Sequence, residues 1–323
     1  MKILITGGAG FIGSHLSERL VAEGHHVTVL DDLSTGRLEN LAGLEGSNRL
    51  TFVKGTILDA PLVADLVGHA DTVFHLAAAV GVKKIMDEPS QSILTNVGGT
   101  ENVLKACVPL KRPVFVASTS EVYGKATKFP FQEDDDLVIG ATKNIRWSYA
   151  SAKQIDEFLT LAYVREAALP AVILRFFNTT GPRQTGRYGM VLPSFVQAAL
   201  DGRPLKVHGT GEQSRCFGHV ADVVEALVRL MDTPSAQGEV FNVANDQEVT
   251  IRGLAEKVIE MTGSSSKIEL IPYSEAYPAG FEDMMRRLPD VSKLERFTGF
   301  RPRRGLDQII ADVIAEKRRA NAA

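Results

Sequence analysis

Short apolar runs alternate with segments of helical periodicity along the first half of the chain. The runs have the length of buried strands and lie at Lys2–Thr6, His26–Leu30, Leu50–Lys54, Thr72–Leu76, Val114–Ala117 and Ala171–Arg175. Helical patterns lie between them, at Phe11–Glu23, Ala60–Val67, Ser90–Cys107 and Tyr149–Ala167. Strands that alternate with helices pair in parallel and are covered on both faces. The pattern therefore predicts an α/β fold built on a doubly wound parallel sheet.

The rhythm changes after Phe176, where a polar loop runs from Asn178 to Arg187. Shorter elements follow, with helices predicted near Pro193–Leu200, Val220–Met231, Ile251–Thr262 and Leu306–Arg319 and strands at Leu205–His208 and Val240–Val243. We therefore expect residues 1–176 to form the sheet domain. Residues 177–323 are expected to form a smaller α/β lobe that binds the substrate, with elements that cross between the two.

Composition narrows the class of protein. The 323 residues carry 36 Lys and Arg against 39 Asp and Glu, a net charge of −3, so no basic excess suggests binding to nucleic acid or to an anionic membrane. The two cysteines, Cys107 and Cys216, cannot build a disulfide framework. No signal peptide or spanning segment of ~20 apolar residues is found, and the histidines lack metal-ligand spacing. We therefore expect a cytoplasmic protein without a metal site.

A glycine-rich loop carries the first functional signal. Gly7, Gly10 and Gly13 lie directly between the first strand and the first helix, where glycines allow a pyrophosphate to approach the backbone at the helix N-terminus. Asp31 closes the second strand 18 residues after Gly13, and a carboxylate there suits a ribose and disfavours a 2′-phosphate. The sequence therefore predicts a Rossmann-like domain that binds NAD rather than NADP.

Tyr149 and Lys153 are four residues apart, on one face of the predicted helix. An ammonium beside a phenol favours the phenolate, so we expect the pKa of Tyr149 to be lowered toward the range of a general base. Ser118, Thr119 and Ser120 end the strand upstream. Ligands in open α/β sheets bind at the carboxyl ends of strands, so these hydroxyls are expected to reach the same site.

In this order, the motifs resemble the extended short-chain dehydrogenase/reductases, in the branch of nucleotide-sugar epimerases and dehydratases. Further matching segments are Leu76–Ala79, Asn96–Thr100, Phe177–Arg183, Arg215–Phe217 and Arg286–Asp290. The resemblance implies that Tyr149 takes a proton from a sugar C4 hydroxyl while C4 passes a hydride to NAD⁺. It also implies that Lys153 holds the nicotinamide ribose and keeps Tyr149 anionic, and that Thr119 or Ser118 binds the reacting oxygen.

The resemblance further implies sets of binding residues. For NAD they are Gly7, Gly10, Phe11, Ile12, Gly13, Asp31, Asp32, Ser34, Gly36, Leu76, Ala77, Ala78, Tyr149 and Lys153. For a UDP-sugar they are Thr119, Ser120, Glu121, Asn178, Arg187, Val191, Arg215, Arg286 and Arg287. Within that set Asn178 would contact the diphosphate, and Arg215 with one of Arg286 and Arg287 the phosphates. The helices at Ser90–Cys107 and Tyr149–Ala167 would pair across a two-fold axis in a homodimer.

One segment departs from the family pattern. Relatives usually carry an acid directly after the glycine at position 55, where it touches the adenine, whereas this chain has Thr56. Asp59 is expected to cap the next helix rather than to replace that acid.

Three reactions branch from a 4-keto sugar. Return of the hydride on the other face gives a 4-epimerase, loss of CO₂ from a 4-keto hexuronate gives a decarboxylase, and removal of water across C5 and C6 gives a 4,6-dehydratase. Resembling dehydratases carry Asp-Glu after the threonine as acid and base. This chain has Ser120 and Glu121 after Thr119, so dehydration is disfavoured.

The motifs are compatible with both remaining reactions. The segment Thr119–Gly124 also occurs in UDP-glucuronate decarboxylases, whereas Ser148–Lys153 and Thr185–Met190 look more like the epimerases. Arg187 could pair with a C6 carboxylate and so oppose its loss as CO₂. We therefore expect a UDP-sugar 4-epimerase, with the pair UDP-glucuronate/UDP-galacturonate favoured over UDP-glucose/UDP-galactose. The alternatives are, in order, a UDP-glucuronate decarboxylase that forms UDP-xylose, a 4,6-dehydratase and an NAD-binding regulator without turnover.

Overall fold

The computed structural model describes residues 1–186, 190–276 and 282–322, without the side chains of residues 82–84, 321 and 322. The strands are β1 (Lys2–Thr6), β2 (His26–Asp31), β3 (Leu50–Lys54), β4 (Thr72–His75), β5 (Val114–Thr119), β6 (Ala171–Phe176), β7 (Thr179–Thr180), β8 (Leu205–His208), β9 (Ser214–Cys216), β10 (Gly218–His219), β11 (Val240–Val243), β12 (Glu248–Thr250), β13 (Ile268–Ile271) and β14 (Arg286–Arg287). The helices are α1 (Phe11–Ala22), α2 (Ala60–Gly68), α3 (Val82–Asp87), α4 (Pro89–Cys107), α5 (Ser148–Ala167), α6 (Val191–Leu200), α7 (Val220–Met231), α8 (Ile251–Thr262), α9 (Tyr273–Ala276), α10 (Ser292–Thr298) and α11 (Leu306–Ala322).

A seven-stranded parallel sheet forms the centre, in the order β11-β6-β5-β4-β1-β2-β3. Its strands are apolar on both faces because helices cover both sides. In β1, Ile3 and Ile5 pack with α1 and α7, whereas Leu4 between them packs with α2 and α4. The predicted α/β fold with a doubly wound parallel sheet is confirmed.

Strand β11 joins this sheet, although its sequence position suggested the second lobe. Val240 pairs with Ile173 and Val243 with Phe176, so β11 extends the sheet beyond β6. Helix α7 likewise packs on the sheet, next to α1. β11 and α7 therefore belong to the central sheet and its covering layer, and the division into two parts at residues 176/177 stays a prediction.

The remaining residues build smaller sheets on their own apolar core. These sheets pair β10 with β7, β13 with β8, and β12 and β14 with β9. Side chains from α6, α8 and α11 form the core, among them Phe195, Leu254 and Ile309. None of the described helices combines the length and apolar character needed to cross a membrane.

Candidate active site

A cavity of about 980 Å³ lies at the carboxyl ends of the central strands. Residues of the glycine loop, of the ends of β2, β4 and β5, and of α5 line one part of it, and residues of the second half of the chain line the rest. The volume is at the upper end of ordinary ligand pockets. The cavity is therefore large enough for a dinucleotide and part of a second ligand.

The glycine loop, residues 7–13, forms one wall of this cavity. Gly7 has a left-handed backbone with φ of +72°, and a Cβ atom there would lie 2.7 Å from the backbone nitrogen of Ala77. A Cβ atom on Gly13 would lie 2.3 Å from the carbonyl oxygen of Gly7. Side chains are excluded at both positions, so the N-terminus of α1 stays open to a pyrophosphate. Gly7, Gly10, Phe11, Ile12 and Gly13 all line the cavity, as predicted.

Asp31 holds a fixed carboxylate at the end of β2. It accepts hydrogen bonds from the backbone nitrogens of Ala9, at 3.0 Å, and Leu33, at 2.8 Å, and burial raises its pKa. Gly36 packs against it, since a Cβ atom at position 36 would lie 2.8 Å from Asp31 Oδ1. This rigid carboxylate and the open glycine loop fit the adenosine half of NAD.

The other predicted cofactor positions also face the cavity. The cavity is lined by Asp32, Ser34, Leu76, Ala77 and Ala78. Gly36 does not line it but packs against Asp31. Thr56 lines the cavity at the position where relatives carry an acid. The predicted cap is confirmed, because the Asp59 carboxylate accepts from the backbone nitrogen of Leu62 at 3.1 Å, at the start of α2.

Thr119, Tyr149 and Lys153 meet where β5 ends and α5 begins, and all three line the cavity. The Thr119 side chain lies next to the Tyr149 phenol. Lys153 donates to Asp156 Oδ2 at 2.7 Å, and this ion pair is buried. The predicted meeting of Tyr149, Lys153 and the strand hydroxyl is therefore present in the fold.

The expected lowering of the Tyr149 pKa is wrong for this ligand-free site. Burial raises the pKa of Tyr149, and the negative charges of Glu121 and Asp156 raise it further. The Lys153 charge is balanced by its carboxylate partner, which spacing along the helix did not reveal. The phenol is therefore protonated at neutral pH in the absence of ligands.

Ser118 is directed away from Tyr149. Its hydroxyl donates to Glu157 Oε1, and both side chains are buried. Glu157 in turn binds the Arg175 guanidinium through two hydrogen bonds of 2.9 and 2.7 Å. Of the two hydroxyls expected to bind the reacting oxygen, only that of Thr119 is next to the phenol. Ser118 instead joins β5 to α5, since successive residues of a strand point to opposite faces.

Glu121 lies two residues beyond Thr119, in a short 3₁₀ turn at Ser120–Tyr123. The Arg146 guanidinium binds both of its oxygens, with Nη2 to Oε1 at 2.9 Å, and Arg287 Nη1 lies 3.5 Å from Oε1. Burial alone would raise the pKa of Glu121, but the charges of Arg146 and Arg287 outweigh it and lower the pKa to about 2. Glu121 is therefore a permanent carboxylate in the cavity wall.

Arg287 and Arg215 face the cavity side by side, because β14 and β9 pair in the register that places Arg287 opposite Arg215. Asp283 lies 3.0 Å from Arg215 and 3.6 Å from Arg287. Burial and the neighbouring Arg287 lower the pKa of Arg215 to about 10. This arrangement favours an anionic ligand, because a phosphate or a carboxylate would relieve the repulsion between the two guanidiniums.

Arg286 does not reach the cavity, so its assignment as a possible phosphate ligand is wrong. Alternation along β14 turns its side chain to the surface, where it binds Glu248 through hydrogen bonds of 2.8 and 2.9 Å. Only the adjacent Arg287 lies at the predicted site.

The remaining predicted substrate positions divide into two groups. Ser120, Asn178 and Val191 line the cavity, and the Asn178 side chain donates to the carbonyl oxygen of Cys216 at 3.1 Å. Arg187 lies outside the described residues.

Sequence reasoning missed several cavity residues, namely Arg146, Arg183, Lys206, His208, Gln213, Tyr273 and Asp283. Arg183 ends the matching segment Phe177–Arg183 but was given no role, the others belong to no motif, and Arg146 reaches Glu121 from 25 residues away. Glu133 begins a run of four acidic residues, yet it is buried and accepts from the backbone nitrogen of Asn242 at 2.9 Å. Glu133 thereby pairs one backbone N–H on the outer edge of β11. Within the described parts of the chain, no cluster of acidic, His or Cys side chains is placed to hold a metal ion.

Comparison with known proteins identifies a family of NAD-dependent enzymes. The model of the NAD dependent epimerase/dehydratase family matches residues 3–244. A UDP-N-acetyl-alpha-D-glucosaminuronate decarboxylase from Bacillus cytotoxicus is 45% identical over 97% of this chain and 96% of its own length. UDP-glucuronic acid decarboxylase 1 from Xenopus tropicalis is 35% identical over 93% of this chain and 68% of its own length.

Among solved structures, the UDP-glucuronic acid 4-epimerase from Bacillus cereus, in complex with UDP-glucuronic acid and NAD, is similar over 99% of this chain and 100% of its own, with a TM-score of 0.88 and 27% identity. Decarboxylases and a 4-epimerase are therefore both similar to this chain over nearly its whole length.

Proposed function

This chain belongs to the NAD dependent epimerase/dehydratase family, and we propose that within it the protein oxidises a UDP-linked hexuronate at C4 and then removes its carboxyl group. NAD is the cofactor. The observation that carries the proposal is the joint placement of Thr119, Tyr149 and the ionised Glu121 at one end of the cavity. Among the reactions that this placement allows, the 45% identical decarboxylase supports decarboxylation.

Oxidation at C4 requires a base for the hydroxyl proton. Held by the glycine loop and Asp31, NAD⁺ would supply the hydride acceptor for C4 and, once reduced, the hydride donor for the last step. Tyr149 takes the hydroxyl proton, and Thr119, which lies next to it, orients the sugar oxygen. Lys153 presents its remaining ammonium hydrogens to the cavity, since one of the three is given to Asp156.

Dehydration is opposed by Ser120, which stands where dehydratases carry the acid, and the ionised Glu121 beside it cannot take over that role. Removal of water across C5 and C6 needs an acid that protonates the leaving hydroxyl. With a pKa of about 2, Glu121 holds no proton near neutral pH. Its neighbour Ser120 is a poor acid, so the position where dehydratases keep an acid cannot supply one.

Decarboxylation needs less machinery once C4 is a ketone. The C5–C6 bond breaks, CO₂ leaves, and the electron pair moves onto the C4 oxygen, which the Tyr149 phenol and the Thr119 hydroxyl hold. A proton from solvent then adds to C5, and reduction of the ketone regenerates the alcohol.

The proposed substrate is UDP-N-acetylglucosaminuronate, ahead of UDP-glucuronate. The preference follows from the identities, 45% to a decarboxylase of the former and 35% to a decarboxylase of the latter. The paired Arg215 and Arg287 would bind the diphosphate, as an anionic group of two phosphates matches two adjacent guanidiniums.

The test is incubation with NAD⁺ and, separately, UDP-N-acetylglucosaminuronate, UDP-glucuronate and UDP-glucose, with product analysis by NMR. We expect a UDP-pentose that has lost C6 and an equal amount of CO₂ from the first substrate. Retention of C6 with inversion at C4 would replace decarboxylation by epimerisation. No reaction of any of the three, from folded protein that binds NAD, would remove the proposal.

A UDP-glucuronate 4-epimerase is the second candidate, favoured by the similarity to the Bacillus cereus 4-epimerase structure. It uses the same oxidation by Tyr149 and differs only afterwards, when the ketone must turn over before the hydride returns. The epimerase is distinguished by the same NMR experiment, since its product keeps the C6 carboxylate.

We also propose that the protein forms a homodimer through α4 and α5. Ile93, Leu94, Ile155 and Phe158 are exposed apolar side chains on these two helices, and Phe158 is 72% exposed. A second copy of the same face would cover them. We expect Phe158→Glu to change the dimer into a monomer in analytical ultracentrifugation. Leu270→Glu, which changes an exposed leucine of β13, should remain a dimer, and a wild-type protein that sediments as a monomer would contradict the proposal.

A further inference from the structure

A buried ion pair stands directly behind the proposed base. Lys153 and Asp156 are one turn apart on α5, their side chains are 2% and 0% exposed, and Nζ donates to Oδ2 at 2.7 Å. Removing two charges from water is costly, and a buried pair of this kind seldom increases stability over apolar residues of the same size. The cost points to a role for Asp156 in the function of Lys153.

A chain of buried polar groups leads to Asp156 from the glycine-loop strand. The backbone nitrogen of Ala77 donates to Thr6 Oγ1 at 3.3 Å, and Thr6 Oγ1 lies 2.7 Å from His75 Nδ1. His75 Nε2 lies 3.1 Å from Thr100 Oγ1. Burial raises the pKa of Asp156, and Lys153 and the Thr100 hydroxyl oppose that rise, although Asp156 Oδ1 makes no hydrogen bond of normal geometry within the described residues.

The direction of donation in this chain is determined by its two ends. His75 Nδ1 is the one acceptor that the described residues offer to the Thr6 hydroxyl, so this hydroxyl donates to Nδ1, and the neutral imidazole carries its hydrogen on Nε2. Burial and the Lys153 charge lower the pKa of His75 to about 3, which keeps the imidazole neutral. Thr100 therefore accepts from His75 and turns its hydrogen toward Asp156. Both neighbours of the carboxyl group, Thr100 and Lys153, present hydrogens to it, which favours the carboxylate.

We propose that Asp156 is a positioning residue for catalysis: as a buried carboxylate it holds the Lys153 ammonium in place, and its charge sets the pH at which Tyr149 acts as the base. The proposal rests on the proposed role of Tyr149 in C4 oxidation. It concerns a residue outside the motif that joins Tyr149 to Lys153.

The charges around Tyr149 determine the direction of the effect. Glu121 faces the phenol from the turn after β5, Arg146 from the segment before α5, and Asp156 and Lys153 from α5 itself. Replacing Asp156 by Asn keeps the shape and an acceptor for Lys153 but leaves the ammonium uncompensated. The Tyr149 phenolate then becomes more stable, and the phenol should titrate about one pH unit lower.

The first test is the ultraviolet titration of Tyr149 in ligand-free protein, isolated as the difference from the Tyr149→Phe protein. Asp156→Asn is expected to lower the midpoint by about one pH unit and to move the acidic limb of the kcat/KM profile by the same amount. Glu157→Gln is the matched control. It neutralises the adjacent buried carboxylate, whose partner is Arg175, and should leave the Tyr149 midpoint unchanged. An unchanged midpoint in Asp156→Asn, or equal shifts in both variants, would overturn the proposal.

A second test measures thermal midpoints. It needs no substrate, and it can be interpreted even if Asp156→Asn is less stable than the wild type. Lys153→Met leaves the Asp156 carboxylate buried without its cation, so the thermal midpoint should fall, and Lys153→Met/Asp156→Asn should recover part of that fall. Additive losses would show that the two side chains do not act as a pair. The ultraviolet titration and the thermal midpoints need no sugar substrate, so a failed decarboxylation assay leaves both interpretable.

Discussion

Tyr149 combines two features that oppose each other: it lies at the end of the cavity as the proposed base, yet burial and two carboxylates raise its pKa. Tyr149→Phe removes only the hydroxyl. We expect kcat to fall roughly a hundred- to ten-thousand-fold, as for the loss of a general base, while the Kd for NAD measured by calorimetry stays within a few-fold of the wild-type value. Tyr163→Phe, on the same helix, is the control and should turn over normally. Normal turnover by Tyr149→Phe would refute the assignment.

Arg286 and Arg287 form a natural matched pair, because adjacent residues of β14 face opposite sides. Arg287→Ala removes a buried guanidinium from the cavity and is expected to lower kcat/KM for the UDP-sugar roughly ten- to a hundredfold. Arg286→Ala loses only an exposed ion pair with Glu248 and should remain within about twofold. Similar losses in the two variants would contradict the placement of Arg287 at the substrate.

At the scale of a single element, α4 carries two adjacent glycines with different surroundings. A Cβ atom on Gly98 would meet only Leu58, at 3.6 Å, whereas one on Gly99 would lie 2.2 Å from Ile57 Cδ1. Gly98→Ala should stabilise the protein by about 0.5–1 kcal/mol, since alanine favours the helix. Gly99→Ala should destabilise it by roughly 1–3 kcal/mol.

The same pair of variants connects α4 to the cofactor site, because Ile57 lines the cavity. Displacement of Ile57 in Gly99→Ala should weaken NAD binding, and Gly98→Ala should not. Urea denaturation and NAD titration of both proteins test this difference. Equal stability of the two variants would show that Ile57 moves away without cost.

Elements with a local signal could be predicted from the sequence, and contacts between distant segments could not. The glycine loop, the Asp59 cap and the placement of Tyr149 beside the end of β5 depend on residues close in sequence or on the general rule that parallel strands end at one edge. The side of β14 that faces the cavity depends on its pairing with β9, some 70 residues earlier. The salt bridge from Arg146 to Glu121 and the ion pair that balances Lys153 have no sequence pattern of their own.

At the scale of the whole molecule, burial of a neutral His75 couples stability to pH. Burial and the Lys153 charge lower the pKa of His75 from 6.5 to about 3, so the unfolded chain binds a proton below pH 6.5 that the folded chain does not. The stability from this group is complete above pH 6.5 and is lost as the pH falls toward 3. Between pH 7.5 and 5.0 the loss is roughly 2 kcal/mol of unfolding free energy.

We expect His75→Gln to be less stable than the wild type at pH 7.5, because it disturbs the contacts with Thr6 and Thr100. Its further loss on acidification should be smaller than that of the wild type by about the same roughly 2 kcal/mol. Urea unfolding at the two pH values measures the difference. An equal loss in both proteins would place the acid sensitivity elsewhere.

The position of β11 at the edge of the central sheet has a consequence for the newly made protein. Until Val240–Val243 have been synthesised and have left the ribosome, β6 has no partner on its outer edge, and its backbone groups are open to other chains. The residues proposed to hold NAD are all made by then, yet their sheet cannot be completed before β11 has emerged from the ribosome. In a nascent chain the central sheet is therefore completed late, while the later part of the chain is also folding.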